Sequence, residues 1–246
     1  MGKKIPTLKN GQQIYDAYTS EDLKVWIILY SRQMKRLDAI AARQFLEGLD
    51  RLSFSANSIP NFDHLNDSLA QSTGWEIIAV QGIIADDVFF DLLARKKFPA
   101  TSWLRTMEEL DYLEEPDMFH DIFGHIPLLT ELSFTHFLQR LGQIGQSVAN
   151  DPIQTHLLSR IYWYTVEFGL IREKSDLKIY GAGILSSIAE SIQSVDPLKV
   201  DHHVFDMKRI MNSPYRKDLM QEQYFVLEDF HQLYEQLPEV EFALRY

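Results

Sequence analysis

Residues 116–129 read PDMFHDIFGHIPLL, and His120 and His125 stand five positions apart in an otherwise largely apolar run. On an α-helix, residues that far apart are turned by about 140° from one another and do not share a face. For both imidazoles to serve one site, the backbone has to leave the α form between them. Gly124 frees the backbone just before the second histidine, and Pro127 limits what can follow. The segment is therefore predicted as a helix that unwinds at His125. A second oddity lies in IYWYTVEFGL, residues 161–170, where Glu167 sits among large apolar and aromatic side chains. A carboxylate in such surroundings needs a cation or strong hydrogen bonds. Two imidazoles and one carboxylate answer both oddities together, as a mixed nitrogen–oxygen site for a divalent metal with coordination positions left open. Catalytic zinc and non-haem Fe(II) both use such a set, and the ligand types alone do not separate a zinc hydrolase from an iron oxygenase. The zinc-protease pattern HExxH is absent. His64, His136, His156, His202, His203 and His231 have no comparable context and are read as surface or capping residues.

The rest of the composition narrows the choice. The chain has 246 residues, of which 46% are hydrophobic and 24% charged, an ordinary globular balance with room for a sizeable core. A formal net charge of −11 disfavours nucleic acid and anionic lipid as partners, since their phosphates demand a basic face. There is no cysteine, which excludes disulfides, zinc-thiolate sites and iron–sulfur clusters. Any metal must be held by histidine and carboxylate. No apolar run follows the opening MGKKIPTLKNG, Pro6 stands where a myristoylation motif wants serine or threonine, and no stretch approaches a membrane span. The expectation is a soluble, cytoplasmic protein.

Periodicity predicts a mainly α protein with a few short β strands, folded as one catalytic domain over residues 1–246 with a loose tail at 1–18. Thr19 or Ser20 caps a helix in which Leu23, Trp26, Ile27, Tyr30 and Met34 recur at helical spacing. Further helices are expected at 40–49, 63–72, 132–146 and 152–169, with another in DVFFDLLARKK capped by Asp86. ILSSIAESIQ reads as helical too. WEIIAVQ (75–81) and LKIYGAG (177–183) read as strands, and QYFVLEDFHQLYEQL as a strand fragment followed by a helix.

Three motifs, LDYLEEPDMFHDIFGHIPLL, IYWYTVEFGL and IYGAGILSS, resemble the pterin-dependent aromatic amino acid hydroxylases, most of all their short bacterial phenylalanine-hydroxylating form. The similarity runs from about Trp75 to Val226, with the motifs in the family's order and spacing. The resemblance implies a monooxygenase that converts L-phenylalanine to L-tyrosine, as in phenylalanine catabolism. It implies one Fe(II) on His120, His125 and Glu167, a tetrahydropterin such as tetrahydrobiopterin as electron donor, and O2 as co-substrate. On the substrate side it implies Arg105 at the amino acid carboxylate, with Pro116, Trp163 and Phe168 around the ring. It also implies Gly183 where the backbone approaches the amino acid, and Ser186 bonded to the first histidine. On the cofactor side it implies Phe89 stacking on the pterin, the Gly82 and Ile84 backbone pairing with its edge, and Asp121 and Tyr162 beside it. Leu113 and Lys217 depart from what is usual near the pocket, and tyrosine or tryptophan remain alternative substrates. Judged against the long animal members, neither a regulatory domain nor a tetramerisation helix is expected, and the protein is expected to be a monomer.

Overall fold

Thr19 starts the first long helix by accepting a hydrogen bond from the Asp22 backbone while Asp22 accepts one from the Thr19 backbone, a reciprocal cap that satisfies two otherwise open donors. In the computed structural model, which describes residues 7–111 and 113–245, that helix is α1 (Ser20–Ile40). It is followed by α2 (Arg43–Arg51) and α3 (Phe62–Ser72), the latter capped by the Asn61 side chain. The predicted second helix thus begins three residues later than its pattern suggested, because Ala41 and Ala42 are extended and bonded to Ile179. Residues 7–18 are not loose. Strands β1 (Leu8–Lys9) and β2 (Gln12–Gln13) form a small hairpin, and a short 3-10 turn follows at Tyr15–Ala17. Side-chain bonds from Thr7 and Tyr18 to Ser102, and from Gln13 to Pro60, tie this segment down. The remainder of the expected tail, residues 1–6, lies outside the described residues.

Two further sheets frame the site. Strand β3 (Glu76–Val80) pairs in parallel with β4 (Lys97–Thr101), and α4 (Asp86–Ala94) is the crossover between them. Ala85, not Asp86, occupies the N-cap of α4, and Asp86 joins Asp87 in its first turn, where negative charge suits the helix dipole. After α5 (Leu132–Val148) and α6 (Pro152–Tyr162), β5 (Leu170–Glu173) and β6 (Asp176–Ile179) form an antiparallel pair. The short helices α7 (Ala182–Leu185) and α8 (Ile188–Gln193) lead to β7 (Asp201–Val204), α9 (Met207–Asn212) and β8 (Gln223–Leu227). The sheet order is β6-β5-β8-β7, with β8 parallel to both neighbours. Strands β5 and β7 carry no alternation strong enough to be read from sequence. The chain ends in α10 (His231–Glu235) and α11 (Leu237–Arg245).

The segment that carries the two histidines runs through the middle of the hydrophobic core. Phe119 and Phe123 stack on each other at 4.7 Å, Trp26 of α1 meets Phe119, and Phe45 of α2 meets Phe123 edge-on. Met118, Phe119, Ile122, Phe123, Ile126 and Leu129 have no exposed surface. Burying six such large side chains contributes on the order of 2 kcal/mol each, enough to hold an unusual backbone in place. Among the described residues no helix is long and apolar enough to cross a membrane.

Candidate metal centre

The backbone departs from the α form at the histidines, but not by unwinding. Phe119–His125 form a π-helix, and Ile126–Thr130 continue as a tight 3-10 helix with Pro127 in its first turn. A π-helix bonds i to i+5 and is wider than an α-helix, so position 125 comes round to nearly the same face as position 120. The five-residue spacing therefore suits this segment where it would fail on an α-helix. Gly124 has a different task from the one its sequence suggested. Positive φ among the described glycines is confined to Gly11 and Gly74. A Cβ on Gly124 would stand 3.0 Å from both the Cβ and the carbonyl oxygen of Ala182, so the glycine lets α7 pack against the histidine turn.

Glu167 is delivered by the same device. Helix α6 does not continue to Gly169; it passes at Trp163 into a second π turn, Trp163–Glu167, closed by a bond from the Phe168 N–H to the Trp163 carbonyl. The two turns face each other. His120 Nε2 and His125 Nε2 are 3.3 Å apart, His125 Nε2 lies 3.3 Å from Glu167 Oε1, and His120 Nε2 lies 3.5 Å from Glu167 Oε2. One donor atom from each residue lies within 4.8 Å of the other two, a spread that one ion can span with metal–nitrogen and metal–oxygen bonds of about 2 Å. Among the described residues this is the one group of histidine, aspartate and glutamate donors that converges in this way.

The surroundings orient one imidazole and keep the carboxylate charged. His120 Nδ1 is 2.9 Å from Ser186 Oγ, and that hydroxyl donates to the Ala182 carbonyl at 2.8 Å. With its own proton committed, Ser186 accepts from His120 Nδ1–H, which fixes the tautomer and leaves the Nε2 lone pair free for a cation. Burial raises the Glu167 carboxyl, but the adjacent His125 and His120, together with the charge of Lys217, outweigh it and bring the group down to about 2. Lys217 is itself exposed. Asp121, next to His120, accepts from the Thr101 backbone at 2.7 Å and its hydroxyl at 2.9 Å, which ties the end of β4 to the histidine turn. Burial nevertheless pushes Asp121 up, and it pushes the Tyr162 hydroxyl well above its ordinary value, with help from the Glu167 and Asp121 charges.

The other residues singled out in the sequence have the following neighbours. Trp163 lies 4.7 Å from the Phe168 ring, and Gly183 is where a Cβ would come within 2.8 Å of Phe168 Cζ. Arg105 is nearly buried, and its Nε and Nη2 donate bidentately to Asp117 at 2.9 Å. Asp117 is fully buried and also accepts from the backbone of Arg105 and of His120. Pro116 precedes it, partly buried. Phe89 of α4 is half-buried, and its ring neighbours Tyr162 and Phe90 stand at steep angles to it, 89° and 73°. Tyr162 in turn lies 6.4 Å from the His125 ring. Gly82 and Ile84 lie in the β3–α4 loop, and a Cβ on Gly82 would meet nothing within 4 Å.

Asp117, Thr101, Tyr215 and Gln221 escaped the sequence reading. Asp117 was visible as the acid between Pro116 and the histidine turn. Nothing local marks Gln221, which accepts from Trp163 across 58 positions.

Comparison with known proteins follows this geometry. Residues 3–245 match the family described as biopterin-dependent aromatic amino acid hydroxylase. A phenylalanine-4-hydroxylase of Chromobacterium violaceum is 48% identical over 91% of this chain and 75% of its own length. One of Ralstonia nicotianae is 46% identical over 91% of this chain and 71% of its own. The crystal structure of the C. violaceum phenylalanine hydroxylase with bound iron(III) and oxidised 7,8-dihydrobiopterin superposes with a TM-score of 0.90 at 45% identity, covering 100% of this chain and 89% of that one.

Proposed function

Since the chain belongs to the biopterin-dependent aromatic amino acid hydroxylases, we propose that it converts L-phenylalanine to L-tyrosine with Fe(II), a tetrahydropterin and O2. The observation that carries this reading is the convergence of the His120, His125 and Glu167 side chains within 3.5 Å of one another. When bound, the tetrahydropterin would supply two electrons and the iron would activate oxygen, so that one oxygen atom goes to the substrate ring and the other to the pterin.

The chain's own residues bind, orient and keep water out. His120 and His125 would hold the metal through Nε2, and Ser186 fixes the His120 ring by its bond at Nδ1. Glu167 supplies a carboxylate that stays ionised. Three protein donors leave positions open for oxygen. With Nε and Nη2 turned to Asp117, Arg105 keeps the other edge of its guanidinium for the substrate carboxylate, and it cannot swing away without leaving Asp117 unpaired in the core. Trp163, Phe168 and Pro116 enclose the phenyl ring, and Gly183 keeps Phe168 close to the backbone of α7. An apolar lining limits loss of the oxidant to water. On the cofactor side, Phe89 stacks on the pterin, the Gly82–Ile84 backbone reads its edge, and Asp121 and Tyr162 close the pocket towards the metal.

The test is direct. Protein loaded with Fe(II) and given a tetrahydropterin, oxygen and phenylalanine yields tyrosine, with oxygen uptake that depends on the pterin. Folded, iron-loaded protein that makes no tyrosine refutes the reading. Offering tyrosine and tryptophan in parallel identifies the preferred ring.

A further inference from the structure

The second π turn holds the ends of a loop as well as a ligand. Between α9 and β8 the chain runs from Ser213 to Glu222 without regular secondary structure, and residues 216–220 are exposed. Its beginning is fastened to Tyr164, whose hydroxyl donates to the Pro214 carbonyl at 2.6 Å. Its end is fastened to Trp163, whose indole Nε1 donates to Gln221 Oε1 at 3.0 Å. Consecutive residues of the turn that delivers Glu167 thus grip the loop at both ends. In the middle, Tyr215 stacks on Trp163 with ring centres 4.6 Å apart and planes 24° apart.

Gln221 is built into this arrangement with no freedom left. It is 5% exposed. Its amide nitrogen donates to the carbonyls of Arg216 at 2.9 Å and Leu219 at 3.0 Å, which curls the loop around the side chain. Carbonyls accept only, so the nitrogen must face them and the oxygen must face the indole. The Gln221 backbone is fixed as well: its N–H donates to Glu190, whose other carboxylate oxygen takes the Tyr224 hydroxyl, and its carbonyl accepts from Gln193. A glutamine held at every polar atom sets the plane of the one group it touches on the site side, Trp163.

We propose that Gln221 is a positioning residue that fixes the Trp163 indole, and with it the width of the slot that receives the substrate ring. This rests on Trp163 being a wall of that slot, as in the function proposed above. Removing the acceptor would leave the indole N–H without a partner in a half-buried site, and the ring would turn to find one. The slot then becomes less selective without any change at the metal.

The test is a cycle of Gln221→Leu, Trp163→Phe and the double variant, each loaded with Fe(II) and assayed with a tetrahydropterin on phenylalanine and on tryptophan. The unaltered protein comes first: no tyrosine there overturns the proposed function itself. With that activity in place, Gln221→Leu should raise KM for phenylalanine about fivefold to tenfold, the factor that a lost buried hydrogen bond carries, while kcat changes less than about twofold. The preference for phenylalanine over tryptophan should fall with it. In the Trp163→Phe background, which has no indole N–H, the same replacement should have little further effect. If Gln221→Leu does not fold, Gln221→Met takes its place with the same readouts. An unchanged KM in Gln221→Leu, or an equal effect of that replacement with and without the indole, overturns the role of Gln221 and leaves the proposed function standing.

Discussion

Replacing Asp117 with asparagine should damage this protein more than replacing any surface acid, and the reason is geometric. The Asp117 carboxylate has no exposed surface and accepts four hydrogen bonds: from Arg105 Nε, Arg105 Nη2, the Arg105 backbone and the His120 backbone. Every one of these partners is a donor. An asparagine amide turns one of the two acceptor oxygens into a donor, which then points at another donor whichever way the amide is flipped. It also removes the charge that offsets the nearly buried Arg105 guanidinium. Breaking a buried ion pair from one side costs about 3–5 kcal/mol, which in a chain of this size lowers the unfolding midpoint by about 6–20 °C. The effect should reach the site as well, because one of the lost bonds holds the start of the histidine turn and two others aim Arg105. Thermal unfolding and phenylalanine KM read the two consequences separately. A companion variant sharpens the test. Arg105→Met combined with Asp117→Leu replaces the pair with apolar groups and should be more stable than Asp117→Leu alone, since it leaves no unpaired charge. It should still fall short of the unaltered protein, because the backbone N–H groups of Arg105 and His120 lose their acceptor, and it should not recover phenylalanine binding. A midpoint within about 2 °C of the original for Asp117→Asn, or a double variant less stable than Asp117→Leu, would refute this reasoning.

Two other outcomes follow from the surroundings of the site. Ser186→Ala frees the His120 ring to rotate and to change tautomer, so affinity for Fe(II) or Co(II), measured by competition with a chelator, should drop about 10–100-fold with the fold intact; an unchanged affinity counts against the tautomer argument. Glu190 is buried, and burial raises its carboxyl despite the bonds from Tyr224 and Gln221. A raised carboxyl contributes fully below its unfolded value of 4.5 and loses that contribution as pH climbs through the folded value. Glu190→Gln is uncharged and can keep both partners, since the Tyr224 hydroxyl can turn to accept. Its stability relative to the unaltered protein should therefore improve as pH rises above about 4.5, and a flat difference between acid and neutral pH in denaturant titrations would contradict this.

What could be read from the sequence was the conflict at His120 and His125, not its solution. The spacing showed that an α-helix would fail there. Which alternative the backbone takes depends on what surrounds it, and Trp26, Phe45 and Ala182 come from distant parts of the chain. The same holds for Gly124, whose close contact with Ala182 looks, in one dimension, like ordinary glycine freedom. Glu167 was legible because an acid in IYWYTVEFGL violates its neighbourhood. Asp117 shows only as one more acid after Pro116, and Gln221 violates nothing locally; their importance appears when Arg105 and Trp163 arrive. The hairpin at residues 8–13 escaped for a related reason: its strands are two residues each, too short for periodicity, and Gln13 anchors it through bonds to distant Pro60 and Phe62.

The two π turns have a consequence for how this site can vary. An ordinary helix can also place two histidines on one face, provided that they are four apart. The π turn does it with five, and hands the chain to the tight helix at Ile126 with a different rotation. No exchange of one side chain for another converts the first arrangement into the second; only gaining or losing a residue does. The geometry at His120, His125 and Glu167 is thus stored partly as a length. A library of point substitutions would probe every side chain here and leave that length unexamined, whereas deleting a single residue between the histidines would keep both rings and redirect everything that follows them.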